Sequence, residues 1–314
     1  MAEPRPTVVV IAGPTASGKS ALALGLAQEL NGMLINADSQ QRYRDLPILT
    51  ARPTPDETAR APHRLFGDMG PLESGTAGEW ALKAAAEIRS AASDQRLPII
   101  VGGTGLYLRA LMQGLAEIPD VHPDVRAVAR KRLDEIGNVA FHAELATRDP
   151  VIAVRLAPGD AQRMLRAWEV VEATGTPLSE WQQSTTTPPV AARFIKILLM
   201  PARADLNDTC DARFDAMMAH GAVHEVETLL RSGVPRTAPV MRALGASELA
   251  AYLAGEMGLS AAVAAAKLIT RRYVKSQTTW FNHQFVADLT IDKKFSESFK
   301  DEIFPKIRRL LLTD

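Results

Sequence analysis

Short apolar runs alternate with stretches of helical periodicity along most of the chain. Residues 7–12 (TVVVIA) form the first run, and after a polar, Gly-containing octet Leu22, Leu26 and Leu30 recur every four residues. Residues 33–37 (MLINA), 97–101 (LPIIV) and 194–200 (FIKILLM) are further runs of strand length. Helical spacing covers 77–92, resumes near Leu106, and continues from about Leu206 toward Leu230. Repetition of strand, loop and helix in this order predicts an α/β fold, a phosphate-loop-type parallel sheet flanked by helices. Residues 50–65 are basic and Pro-rich and predict a loop, while 119–181 show amphipathic spacing without a strand and predict a helical insertion. Residues 184–189 (STTTPP) have linker composition. The expected division is a core of 1–118 and 190–314 around an insertion of 119–189.

Composition narrows the class. The 314 residues suffice for one large domain or two modest ones. Lys plus Arg and Asp plus Glu both number 36, so a nucleic-acid site must be a local basic surface and not a field of the whole molecule. A single cysteine, Cys210, excludes an internal disulfide and suits a reducing cytoplasm. No run reaches membrane-spanning length and the start lacks a signal-peptide pattern, so a cytoplasmic enzyme without membrane attachment is expected.

Candidate chemistry begins at residues 13–20, GPTASGKS, which fit the phosphate-loop pattern. Gly13, Pro14, Thr15, Ala16, Ser17, Gly18, Lys19 and Ser20 form a loop whose N–H groups, which all but Pro14 possess, would turn toward a phosphate, with Lys19 on its oxygens and the Ser20 hydroxyl on Mg²⁺. The following helix adds its positive dipole end, so the ligand is a diphosphate or triphosphate. The run 33–37 ends at Asp38 within NADSQQ, and in open α/β sheets the carboxyl ends of strands line the ligand crevice. Asp38 taken alone fits a helix cap as well. Run 97–101 leads into Gly102-Gly103-Thr104-Gly105, placing the Thr104 hydroxyl at another strand end, or making a tight turn without a ligand.

Other polar residues carry less on their own. His63 is read as an ordinary loop residue, and His220 with His224 lack a third ligand. The insertion carries Arg126, Arg130, Lys131 and Arg132, then Gln162, Arg163 and Arg166, the last two on one helix face. Such charge runs are ordinarily solvated surface. Residues 270–281 (TRRYVKSQTTWF) bring Arg271, Arg272, Lys275 and Gln277, phosphate-binding types, with Tyr273 and Trp280 interleaved, a mixture that suits RNA or a core. Three classes stay open on these residues: a kinase or other nucleotide hydrolase, an enzyme whose loop holds a leaving diphosphate, and a noncatalytic RNA-binding protein.

The order of GPTASGKS, NADSQQ, TARPT, PHRL, VGGTGLYLRAL, QRMLRAWEV with TGTPLS, and TRRYVKSQTTWF closely resembles the tRNA dimethylallyltransferase family over residues 8–281. That resemblance implies transfer of a dimethylallyl group from dimethylallyl diphosphate to the exocyclic amine of the adenosine 3′ of the anticodon. Pyrophosphate is the other product, Mg²⁺ the cofactor, the tRNA anticodon stem-loop the partner and a monomer the expected state. A related branch that prenylates free AMP is the alternative, against which the insertion and its arginines argue.

Carried over by residue, the resemblance makes Asp38 the general base and Thr15, Lys19 and Ser20 the main diphosphate contacts, with Arg213 nearby; Thr104 and Arg213 join Asp38 in the catalytic set. It assigns tRNA contacts to Asp38, Ser39, Gln40, Gln41, Thr104, Arg126, Gln162, Arg163, Arg166 and Arg242, and the basic segment adds Arg271, Arg272 and Lys275. Gly245-Ala246-Ser247, Thr209 and Ser276 depart from the family pattern. No Cys/His pairs of an appended zinc finger are present, so RNA binding is expected to rest on core and insertion.

Overall fold

Val8, Val9, Val10 and Ile11 have no exposed surface, because the strand they form lies inside a parallel sheet covered on both faces. The computed structural model describes residues 5–313. In chain order its main elements are β1 (Thr7–Ala12), α1 (Lys19–Glu29), β2 (Gly32–Asn36), α2 (Pro55–Arg60), β3 (His63–Arg64), α3 (Ala77–Ser93), β4 (Leu97–Gly102) and α4 (Gly105–Gln113). Four helices follow, α5 (Pro123–Arg148), α6 (Pro150–Arg155), α7 (Ala161–Thr174) and α8 (Leu178–Trp181). The chain then forms β5 (Arg193–Leu199), α9 (Arg203–Ala219), α10 (Ala222–Arg231), α11 (Ala246–Leu253), α12 (Leu259–Gln284), β6 (Leu289–Ile291) and α13 (Lys300–Leu312).

The six strands among the described residues are all parallel, in the order β3-β2-β4-β1-β5-β6. β4 sits between β1 and β2, with Ala12 opposite Gly102 and Asn36 opposite Val101. Three strand ends therefore meet at one edge. The middle of α1, residues 22–27, is apolar on every face and buried, with Leu22 and Leu26 fully so, because the sheet covers one side and α13 the other, where Phe304 packs beside Gly25.

Two compact units result, Met1–Met112 with Pro189–Asp314, and Gln113–Pro188. The second is wholly helical and closes around Phe141, Leu145, Met164 and Trp168. Its fully buried Asp149 caps two helices at once, accepting the N–H of Ile152 at 3.0 Å and of Ser179 at 2.9 Å. Among the described residues, no helix is long and apolar enough to cross a membrane.

The structure departs from the sequence expectations in three places. The loop expected at 50–65 contains α2, nucleated by a capping box in which Thr54 and Glu57 each satisfy the other's backbone N–H, and then the edge strand β3. The helix expected from Leu206 toward Leu230 is two helices. Gly221, at φ 99°, breaks it, so His220 and His224 do not share a helix face. Beyond Phe281, where the sequence was silent, β6 and α13 add an edge strand and the cover over α1.

Candidate active site

Sheet register assembles the site. Ala37 donates its N–H to Val101 at 2.8 Å, and Thr104 donates back to Ala37 at 3.1 Å, so the loop after β4 lies against the turn after β2. Thr104 Oγ1 accepts the Ser39 N–H at 3.0 Å. A Cβ on Gly103 would meet Gln277 Nε2 at 2.4 Å and the Gly13 carbonyl at 2.9 Å, and one on Gly105 would enter the Trp280 ring at 2.3 Å. Only glycine permits those approaches, which bring α12 down onto the loop.

The phosphate loop is held open and charged. Ala16 adopts φ 67° and Gly18 φ 89°, turning successive N–H groups to one side. Lys19, a residue 9% exposed, donates its ammonium to the Pro14 carbonyl at 3.1 Å. Burial lowers its pKa to about 8; the negative charge of Asp38 opposes that shift and Arg213 reinforces it. Arg213, from α9, donates to Thr15 Oγ1 at 2.5 Å. Lys19, Ser20 and Asp38 line one cleft, with Leu24, Leu34 and Phe66 forming its apolar wall.

Asp38 is positioned by a residue that sequence reasoning passed over. Asn36, fully buried at the end of β2, accepts the Asp38 N–H at 2.8 Å and donates to the carbonyls of Asp38 at 2.9 Å and Leu65 at 3.0 Å. Trp80 Nε1 holds the Asn36 carbonyl at 2.8 Å and stacks on Tyr107. One Asp38 oxygen accepts the Gln40 N–H at 2.9 Å, so this residue closes a local turn and caps no helix. Tyr273, on α12, faces both Asp38 and Thr104. Burial and the Asp38 charge raise its phenol pKa, against the opposing Thr104 hydroxyl, so it stays a hydrogen-bond donor. A strand-terminal Asn two residues before the candidate base was the available signal for Asn36, since Asn closes turns onto its own backbone two residues on.

The remaining candidates fall into groups. Gln40 is partly buried, and Gln41 spends its amide on the Thr50 and Ala51 carbonyls at 3.1 and 2.9 Å. Arg242 is exposed, with the Tyr43 phenol facing it. On α12, Arg272 and Lys275 are exposed, but Arg271 is bound to Asp211 at 2.5 Å. Gln277 is buried and braces the loops, the core side of the reading left open for this segment. Trp280 packs against Gly105.

In the helical unit the cations divide. Arg132 pairs with Glu144 at 3.0 Å and Lys131 with Glu135 at 3.8 Å. Arg163 approaches Asp160 at 3.9 Å, and Gln162 is exposed. Arg126, Arg130 and Arg166 gather around Glu169. Burial raises the Glu169 pKa and the three arginines hold it down.

Comparison with known proteins identifies the family. The family described as IPP transferase matches residues 41–284. The chain is 50% identical over 305 residues to the tRNA dimethylallyltransferase of Paramagnetospirillum magneticum, covering 97% of each. It is 48% identical over 313 residues to that of Parvibaculum lavamentivorans, covering 100% of this chain and 99% of the relative. The full-length tRNA isopentenylpyrophosphate transferase of Bacillus halodurans superposes with a TM-score of 0.69 at 31% identity, covering 98% of this chain and 96% of that one. A eukaryotic dimethylallyltransferase acting on tRNA gives a TM-score of 0.76 at 25% identity, covering 96% of this chain and 77% of that one. A family model matching most of the chain and relatives about 50% identical over nearly its whole length show that the chain belongs to the IPP transferase family.

Proposed function

We propose that the protein transfers a dimethylallyl group from dimethylallyl diphosphate to N6 of the adenosine 3′ of the anticodon in tRNA, releasing pyrophosphate. The observation that carries this reading is the shared cleft. Lys19 and Ser20, on the phosphate loop, and Asp38, at the neighbouring strand end, open onto one space with an apolar wall. That wall suits a five-carbon apolar chain joined to a diphosphate.

In this reading the loop N–H groups, Lys19 and Arg213 bind the diphosphate and stabilise the charge that grows on it as the bond from oxygen to the allylic carbon breaks. The adenine nitrogen forms the new bond to that carbon while Asp38 takes the proton from N6. Thr104 and the protonated Tyr273 phenol stand beside Asp38 to orient the amine. The base reaches them only after leaving its stack. Mg²⁺ would be held by Ser20, which lines the cleft, together with oxygens of the diphosphate and waters, since Mg²⁺ commonly binds one or two protein oxygens with phosphates and waters. When bound it neutralises charge on the diphosphate.

RNA contact is assigned to the exposed Arg242, Arg272 and Lys275 of the core and to Arg126, Arg130 and Arg166 of the helical unit, acting on phosphates and splayed bases of the anticodon stem-loop. A reducing cytoplasm, which a lone, buried, free Cys210 suits, and a monomeric state complete the proposal.

The test is mass analysis of unmodified tRNA after incubation with dimethylallyl diphosphate and Mg²⁺. One isopentenyl group on the adenosine beside the anticodon is expected. Formation of ADP from ATP with no prenylated nucleoside overturns the proposal in favour of a kinase, and prenylation of free AMP alone overturns the tRNA assignment.

A further inference from the structure

Gln277 takes a backbone donor that a phosphate loop ordinarily offers to its ligand. Its Oε1 accepts the Thr15 N–H at 2.8 Å, and its Nε2 donates to the Gly103 carbonyl at 2.9 Å. The side chain is 5% exposed, so water does not compete for either bond. Arg213 engages the hydroxyl of the same Thr15 at 2.5 Å. The amino-terminal end of the loop is thereby closed from two sides, by α12 and by α9. Within the loop, Ser17 donates its N–H to Pro14 at 3.3 Å. The N–H groups of Ala16, Gly18, Lys19 and Ser20 have no protein acceptor among the described residues and remain for a ligand.

We infer that Gln277 is a specificity-determining residue that restricts the phosphate loop to a diphosphate by occupying the Thr15 N–H and tying the loop to Gly103. A loop of this pattern can cradle the whole phosphate chain of a nucleoside triphosphate. A third phosphoryl group at the closed end meets a donor already satisfied and a buried carboxamide oxygen that repels it. Two phosphoryl groups use the four free donors and Lys19 without disturbing the brace. The inference rests on the prenyl-transfer reading for its biological sense, but it concerns anion selectivity and is measured without the transfer reaction.

Calorimetric titration of the full chain with pyrophosphate and with linear triphosphate, in Mg²⁺, tests it. The wild-type protein is expected to prefer pyrophosphate by at least about tenfold. Gln277→Met, close in shape but without an acceptor, frees the Thr15 N–H and should narrow that preference at least about fivefold. Gln277→Asn, one methylene shorter, withdraws from Thr15 and serves the same purpose if the Met variant does not give a cooperative melt. Gln277→Glu keeps an acceptor toward Thr15, so both anions weaken while the preference persists.

A residue that only stabilised the fold would weaken both anions in parallel in all three variants. That outcome, or a wild-type protein without preference, overturns the inference. Failure of the wild-type protein to prenylate tRNA, with these ratios as expected, would instead sink the reaction assigned above and leave the selectivity standing.

Discussion

The side chain of Asn36 clasps the backbone of Asp38 in both directions, accepting its N–H at 2.8 Å and donating to its carbonyl at 2.9 Å. A third bond, to Leu65 at 3.0 Å, fastens the clasp to the segment after β3. The turn that aims the candidate base is thus fixed by a buried amide with both its oxygen and its nitrogen engaged. Asn36→Ala should cost about 1–3 kcal/mol of stability, because the Asp38 N–H and two carbonyls lose their partner in a buried setting. Urea denaturation measures this, and a cost below the noise would show that water replaces the amide freely.

Asp38→Ala removes the carboxylate but not the backbone that Asn36 holds. Turnover should fall about 10²–10⁴-fold, the usual contribution of general base catalysis, while tRNA affinity stays within about twofold. Single-turnover kinetics beside filter binding separates the two effects. Equal loss in both would make Asp38 a structural or RNA-contacting residue only.

Arg213→Lys tests the second closure of the loop. A lysine keeps the charge but not the planar fork that can bond Thr15 and a phosphate oxygen together. KM for dimethylallyl diphosphate should rise about tenfold or more with tRNA binding unaltered. An unchanged KM would place Arg213 outside diphosphate binding.

Lys19 sets a pH dependence whose sign follows from its pKa of about 8, lowered by burial in the free protein. Only the protonated ammonium attracts a diphosphate. Affinity is therefore full below about pH 8 and falls above it, approaching tenfold per unit until the higher pKa of the complex is reached. Pyrophosphate titrations across that range should show this slope, and Lys19→Met should abolish it. Between about 8 and 10.5 the folded state also binds fewer protons at Lys19 than the unfolded chain, so the free protein gains stability as pH rises through that window.

Cations on α12 differ in what they can offer RNA. Arg271 is held by Asp211 at 2.5 Å and Lys267 by Asp215 at 2.6 Å, whereas Arg272 and Lys275 have no ion-pair partner among the described residues. Replacing Lys275 or Arg272 by Ala should reduce the slope of log affinity against log salt by about 1. Arg271→Ala should leave that slope unchanged and cost about 0–1 kcal/mol of stability, as a part-exposed ion pair does. A salt slope that falls for Arg271→Ala as well would show that RNA displaces Asp211.

The parallel sheet, the first helix, the phosphate loop and the strand-end Asp38 were all legible in the sequence, because each is written in residues close together. Apolar runs of five to seven residues make buried strands, and GPTASGKS makes its turn from its own glycines. Family resemblance added the reaction, which no spacing of residues shows. Read residue by residue, however, the chain left Gln277 and Arg271 as two phosphate-binding types alike, and only their neighbours separate them. Gln277 finds Thr15 at a separation of 262 residues, and Arg213 finds the same residue across 198. Such pairings depend on β4 entering between β1 and β2 and on α12 returning over glycines 103 and 105. Periodicity reports which face of an element is buried, but not which distant polar group waits there, so the donors left for a ligand were settled by the tertiary fold.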